Sequence, residues 1–239
     1  MYHVSIRFLF CYMLYVTCFL RFTSYIKADN ISSMESLLLP IFYIVVILYS
    51  VTIHEVSHGL MANSLGDSTA KDLGRLSLNP IKHMDLFGSV ILPVLMFFTT
   101  GFAFGYAKPV PYNPNNLNDR KYGPVKVALA GPAVNIILAL LFGLTLRFMP
   151  DVFSSSLVPQ LVSRIVMLNL VLAVFNMFPI PPLDGHWLLM AFLPSSMDAV
   201  KVFIYKNSFI LFPLFLIIFM VFGSPLVFWL FNLITGAGM

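Results

Sequence analysis

The stretch LLLPIFYIVVILYSVTI at residues 37–53 runs, without a charged side chain, straight into HEVSH at residues 54–58. Counted from Ser36, this charge-free run has the length of about 18 to 20 residues that a helix needs to cross a bilayer. His54 and His58, four positions apart, lie about 40° apart around a helix, so both imidazoles can reach one metal ion from one face. Glu55 borders that face and is placed to take a proton from a metal-activated water rather than to bind the metal. The blander alternative is a set of polar residues at a helix end on the lipid–water boundary. Against it, ionisable groups inside apolar segments are costly and usually functional.

The rest of the chain agrees with a membrane setting. Of 239 residues, 59% are hydrophobic and 10% charged, against about a quarter charged in a soluble domain. A soluble globular protein is excluded, and 24 Phe with 10 Tyr are the opposite of a disordered composition. The 14 Lys and Arg against 10 Asp and Glu give a net charge of +4. That charge is spread over loops rather than gathered in a stripe, so no nucleic-acid partner is implied. Cys11 and Cys18 share one apolar segment without CxxC spacing and say nothing about redox compartment. Further charge-free runs at 86–107, 127–146, 165–183 and from 207 onward predict an all-α polytopic membrane protein with about five or six spans. The shorter run 8–20, between Arg7 and Arg21, is expected to be a short span or interfacial anchor. A cleaved signal peptide is not expected there, because no small-x-small site precedes Lys27. Residues 1–36 are read as an anchor and loop, and 37–239 as one membrane-embedded domain.

A catalytic zinc needs a third protein ligand and an open position. Besides Glu55, the acidic residue embedded in apolar sequence is Asp184, in Asn176-Met-Phe-Pro179-Ile-Pro181-Pro182-Leu-Asp184-Gly185. Three prolines end the preceding helix and are expected to hold the backbone extended, while Gly185 permits a turn of either hand. Asp184 could instead cap a short helix over Trp187–Phe192, with the two roles competing for the same oxygens. His186 is a rival ligand, although a D-x-H pair on a turn does not easily aim both groups at one ion. His83, in a polar turn, and His3, in the tail, are expected to be solvated. Asn135 suits a helix-to-helix hydrogen bond at least as well as a place at the site.

Taken together, HExxH in a hydrophobic helix, Ala130-Gly131-Pro132 opening a later apolar helix, and the Asn176–Gly185 phrase resemble the site-2 protease family of intramembrane zinc metalloproteases, peptidase family M50. Phe104-Gly-Tyr-Ala-Lys-Pro-Val-Pro111 adds a phrase of its compact prokaryotic members. The resemblance implies one Zn2+ held by His54, His58 and Asp184, with Glu55 as catalytic base. It also implies that Asn176 holds the substrate backbone or oxyanion. No segment has the length of the PDZ or CBS domain carried by many family members, so regulation through such a domain is not expected.

Topology offers a separate test. If segments 37–62, 86–107, 124–148 and 160–178 all crossed, Asp184 would end on the side opposite His58. A re-entrant 86–107 restores it, and Pro93, Gly101 and Gly105 weaken a straight helix there. With the hairpin, one side carries Arg7, Lys71, Arg75, Lys82, Lys108, Arg120, Lys121, Lys126, Lys201 and Lys206, against Arg21, Lys27, Arg147 and Arg164. That bias marks a cytoplasmic face, so the zinc site is expected nearer the cytoplasm. The expected activity is hydrolysis of a peptide bond in or near a substrate's membrane segment. The substrate would be held extended by sheet-like pairing with 69–78 or 105–111. The lipid bilayer and a membrane-protein substrate are the expected partners. Two rivals remain: a non-catalytic scaffold or metal-ion carrier built on the same ligands, and a zinc peptidase acting on soluble peptides.

Overall fold

The computed structural model describes residues 33–100, 107–149 and 157–237. Helix α1 spans Ser33–Ser64 and a single turn, α2, spans Thr69–Asp72. A 3-10 turn at Pro80–His83 and a π-type turn at Leu86–Ile91 lead into α3, Leu92–Thr100. Then come α4, Gly123–Phe148, and α5, Leu157–Asn176. Two short helices follow, α6 at His186–Phe192 and α7 at Asp198–Lys206. The last span is α8, Ser208–Ile218, joined through a π-type turn at Phe219–Gly223 to α9, Ser224–Thr235.

Four stretches are helical, long and apolar enough to cross a membrane: Leu38–Ser64, Gly123–Phe148, Leu157–Asn176 and Ile210–Thr235. The protein is therefore an all-α polytopic membrane protein, and no strand forms among the described residues. The expected anchor at 8–20, with His3, Cys11 and Cys18, lies outside the described residues.

Local chemistry explains where these helices begin and which faces they bury. Pro124 stands in the first turn of α4, where its missing N–H removes no helical bond. The inner face of α4 carries Ala128, Gly131, Pro132, Asn135 and Ala139, all buried, and small residues at that spacing let neighbouring helices approach closely. Helix α5 is central: Val166, Leu168, Leu170, Val171 and Phe175 pack with Phe215, Phe219 and Val227 from the last span into one apolar core. With α5 enclosed, α4 lies against both α1 and α5. The C-terminal halves of α1 and α5 and the N-terminal half of α4 therefore gather at one end of the bundle.

The described residues that flank the segment 86–107 meet, as the ends of a re-entrant segment would. Lys108 N–H donates to the His83 carbonyl at 2.7 Å, so the chain departs and returns at one place. A straight helix of that length would carry its ends about 33 Å apart.

Two expectations about backbone shape are corrected. Residues 69–72 form a helical turn instead of an extended edge, because buried Asp67 accepts the Thr69 N–H at 3.3 Å and the Thr69 hydroxyl. The Pro179–Gly185 segment is not extended either: it curls through successive turns, closed by Gly185 N–H donating to the Asn176 carbonyl at 2.7 Å. Gly185 is needed for room and not for handedness, since a Cβ there would lie 2.1 Å from the Met177 carbonyl oxygen.

Candidate metal centre

His54, Glu55 and His58 sit one helical turn apart on α1, and Asp184 reaches them from the closed loop after α5. All four are buried. Nε2 of His54 lies 3.1 Å from Nε2 of His58, and Asp184 Oδ2 is 3.1 Å from the first and 3.3 Å from the second. A tetrahedral zinc with ligand bonds of about 2.0–2.2 Å has ligand-to-ligand edges of about 3.3 Å. The donor triangle has that size.

Proton placement gives the same answer. His54 donates its Nδ1–H to Asn135 Oδ1, and His58 donates its Nδ1–H to the Val127 carbonyl at 2.7 Å. Each Nε2 is then left with a lone pair, and both face a carboxylate oxygen. A proton on one imidazole could bridge a single edge of that triangle, whereas a divalent cation satisfies all three corners. The backbone of α4 leaves space for the ion: a Cβ on Gly131 would stand 2.5 Å from both Nε2 atoms. A group filling that cradle in every other amino acid is absent only in glycine. His54, His58 and Asp184 form the one His/Cys/Asp/Glu group able to hold a metal among the described residues.

Glu55 stands beside the donors without joining them. Its Oε2 accepts the Val110 N–H at 2.8 Å, which ties Glu55 to the chain returning from 86–107. That returning segment is clamped by Arg75, whose Nη2 donates to the Lys108 carbonyl at 2.8 Å and the Pro109 carbonyl at 3.3 Å. A cavity of about 20 Å³ opens among Glu55, His58, Val110, Tyr112, Asn176 and Asp184, room for about one water. Asn176 lies at its edge and donates one Nδ2–H to the Leu172 carbonyl at 2.9 Å.

The remaining candidates separate cleanly. Asp184 does not cap α6: Gly185 occupies that position and no side chain bonds the helix start. His186 turns away from the donors, giving its Nδ1–H to the Leu183 carbonyl and stacking on Trp187 and Tyr205. His83 is a correction, since it is 2% exposed rather than solvated. It donates Nε2–H to the Ser77 carbonyl at 2.7 Å, and burial pushes its imidazole below the ordinary histidine range. Asn135 takes both parts foreseen for it, contacting His54 and also donating to Asn169 Oδ1 at 2.7 Å. Sequence reasoning overlooked Asn169, Arg75 and the Val110 N–H. An Asn set between apolar residues was the available signal for Asn169; nothing in the sequence marks the other two.

The chain is 37% identical to "Putative zinc metalloprotease YwhC" of Bacillus subtilis over 178 residues, covering 72% of this chain and 78% of that protein. It is 33% identical to "Putative zinc metalloprotease Rip2" of Mycolicibacterium smegmatis over 167 residues, 68% of this chain and 61% of that protein. Rip2 of Mycobacterium tuberculosis is 31% identical over 139 residues, 58% of this chain and 52% of that protein. No family model matches the chain, and no solved structure does. Similarity of this extent, in a polytopic helical protein that brings a His-His-Asp donor group together inside its bundle, means that the chain belongs to the site-2 protease family of zinc metalloproteases, peptidase family M50.

Proposed function

We propose that this protein hydrolyses peptide bonds in or near the membrane-spanning segments of other membrane proteins, with His54, His58 and Asp184 as zinc ligands and Glu55 as the base. The observation that carries the reading is the depth of the site. His54 and His58 lie inside the apolar span Leu38–Ser64, and His54 stands about 15 Å from the end of its helix at 1.5 Å per residue. A bond delivered to those ligands lies at or within the bilayer. A bound zinc would supply Lewis acidity and a water of lowered pKa.

The chain's own residues do the rest. Glu55, with Oε2 held by Val110, offers its other oxygen to a water, for which the cavity has room, and takes a proton as that water's oxygen bonds to the scissile carbonyl carbon. The same carboxyl returns the proton to the nitrogen as the carbon–nitrogen bond breaks, so water is consumed and an acid and an amine leave. Asn176 keeps its second amide N–H for the carbonyl oxygen of the substrate. A peptide held in a helix hides its carbonyls, so the substrate enters with its backbone locally unwound. The single-water cavity must then widen to admit it.

The site faces the cytoplasm. Its end of the bundle carries Lys71, Arg75, Lys82, Lys108, Lys121 and Lys126, while Arg147 stands in the last turn of α4 at the other end and Arg164 is buried within α5, the asymmetry of a cytoplasmic face.

Glu55→Gln tests the catalytic reading against a metal carrier or scaffold. Because glutamine still accepts the Val110 N–H and Glu55 is no ligand, zinc content should stay at one per chain. Cleavage of a membrane-segment reporter should fall by about 100-fold or more. Unaltered cleavage, or metal transport that persists in the mutant, would sink the proposal. Cysteines placed at Lys121 and at Arg147 should be labelled from the cytoplasmic and the opposite side respectively; the reverse pattern overturns the sidedness.

A further inference from the structure

Asn135 on α4 and Asn169 on α5 are each 0% exposed, with apolar residues on both sides of them along their helices. Buried amides are costly unless every group is paired, and here the pairing has a direction. The Ile165 carbonyl can only accept, so the amide nitrogen of Asn169 must face it, at 2.9 Å. The same nitrogen donates to Ser50 Oγ on α1 at 3.1 Å. Asn169 Oδ1 is thereby turned to Asn135, whose Nδ2 donates to it across 2.7 Å. Asn135 is left with Oδ1 toward His54 Nδ1, where an oxygen can only accept. His54 therefore carries its hydrogen on Nδ1 and its lone pair on Nε2. His58 reaches the same state through the Val127 main chain, which no substitution of a side chain removes.

We propose that Asn135 and Asn169 are positioning residues that set the metal-competent tautomer of His54, so that loading of the metal depends on α5 being docked against α4 and α1. This rests on His54 being a zinc ligand. A mere adhesive contact between Asn135 and Asn169 would be kept with both amides reversed together, since one would still donate to the other. The relay would not, because reversing Asn135 presents an N–H to His54 and drives the hydrogen onto Nε2, where a metal must bind.

The test uses the full chain in detergent, with zinc affinity measured by competition against a chromophoric chelator and the ligand set read from the absorption of the Co2+ form. Asn169→Leu frees the Asn135 amide to rotate and should weaken zinc about 10- to 100-fold, as loss of an orienting partner does. Asn169→Asp accepts from Asn135 in either protonation state, so its zinc affinity should stay within about threefold of wild type. Asn135→Asp, as a carboxylate or with its proton turned to Asn169 Oδ1, accepts from His54 at the other oxygen and should bind zinc as tightly as wild type or more so; this variant decides the matter if Asn169→Leu does not fold. Wild-type affinity in Asn169→Leu, equal weakening in Asn169→Asp, or weakened zinc in Asn135→Asp each overturns the relay. His54→Ala separates the two layers. If it leaves affinity untouched, the ligand reading fails and the relay with it; if it abolishes binding while Asn169→Leu does not, the relay alone fails.

Discussion

Gly131→Ala adds one methyl group, and the structure says where it goes. The new Cβ would stand 2.5 Å from Nε2 of both His54 and His58 and 2.6 Å from Cε1 of His54. Ordinary contact lies about 1 Å further out, so both imidazoles or the helix behind them must move by that much. Backing α4 away gives no relief, because the partners of the two Nδ1 atoms, Asn135 and Val127, ride on α4 itself. Zinc sites tolerate ligand displacements of about 0.2 Å, and the required shift is several times larger. Disturbing even one ligand's support costs about 10- to 100-fold in affinity; with two ligands disturbed, the loss should be at least about 100-fold, or about 2.7 kcal/mol. The fold should lose less, since the roughly 1 kcal/mol that alanine gains over glycine in a helix interior offsets part of the overpacking. Chelator competition for zinc and thermal unfolding of the metal-stripped protein measure the two quantities separately. A Gly131→Ala protein that bound zinc within about threefold of wild type would refute the placement of the metal between these nitrogens.

Arg75→Leu removes the donors that hold the Lys108 and Pro109 carbonyls and so loosens the segment that orients Glu55. Cleavage of a membrane-segment reporter should fall about tenfold, as the loss of one charge-assisted hydrogen bond does, with zinc stoichiometry unchanged. Lost zinc, or full activity, would show that the clamp does not act through Glu55. Asp67 is buried, which alone would raise its pKa, but donors from Thr69, Asn113 and Asn116 outweigh this and hold it below the usual carboxylate range. A lowered folded-state pKa contributes stability that is complete above the unfolded value of 3.8 and is lost as pH falls below it. Acidification from about pH 5 to about pH 3 should therefore lower the unfolding temperature of wild type more than that of Asp67→Asn; equal slopes would remove Asp67 from the acid transition. Gly185→Ala should prevent zinc loading by opening the turn that carries Asp184, because its Cβ meets the Met177 carbonyl at 2.1 Å and main chain cannot step aside. Normal zinc content in that variant would mean the turn is not needed to aim the carboxylate.

The sequence by itself determined whatever depends on spacing along one helix or on the presence of charge. Leu37–Ile53 followed by His54 and His58 specified a membrane helix with two imidazoles on one face, since the 3.6-residue repeat is a local property. Asp184 could be singled out because carboxylates are scarce inside apolar sequence, and the unequal distribution of lysine and arginine pointed to ends of 86–107 that meet, as His83 and Lys108 do. Only the tertiary structure decided which groups complete the site from elsewhere in the chain. Val110 offers a main-chain N–H to Glu55 and Val127 a carbonyl to His58, and every residue but proline carries such an N–H, so no residue type announces them. His83 looked solvated among Asn79, Lys82 and Asp85, yet it is enclosed once the segment returning at Lys108 folds over it. Gly131 could be quoted as part of a phrase, but its purpose became visible when α4 crossed α1 closely enough that a single methyl group would occupy the space between two histidines. Contacts between residues about 70 to 130 positions apart follow from how helices pack, and packing is set by the shapes of whole faces rather than by any stretch that can be read locally.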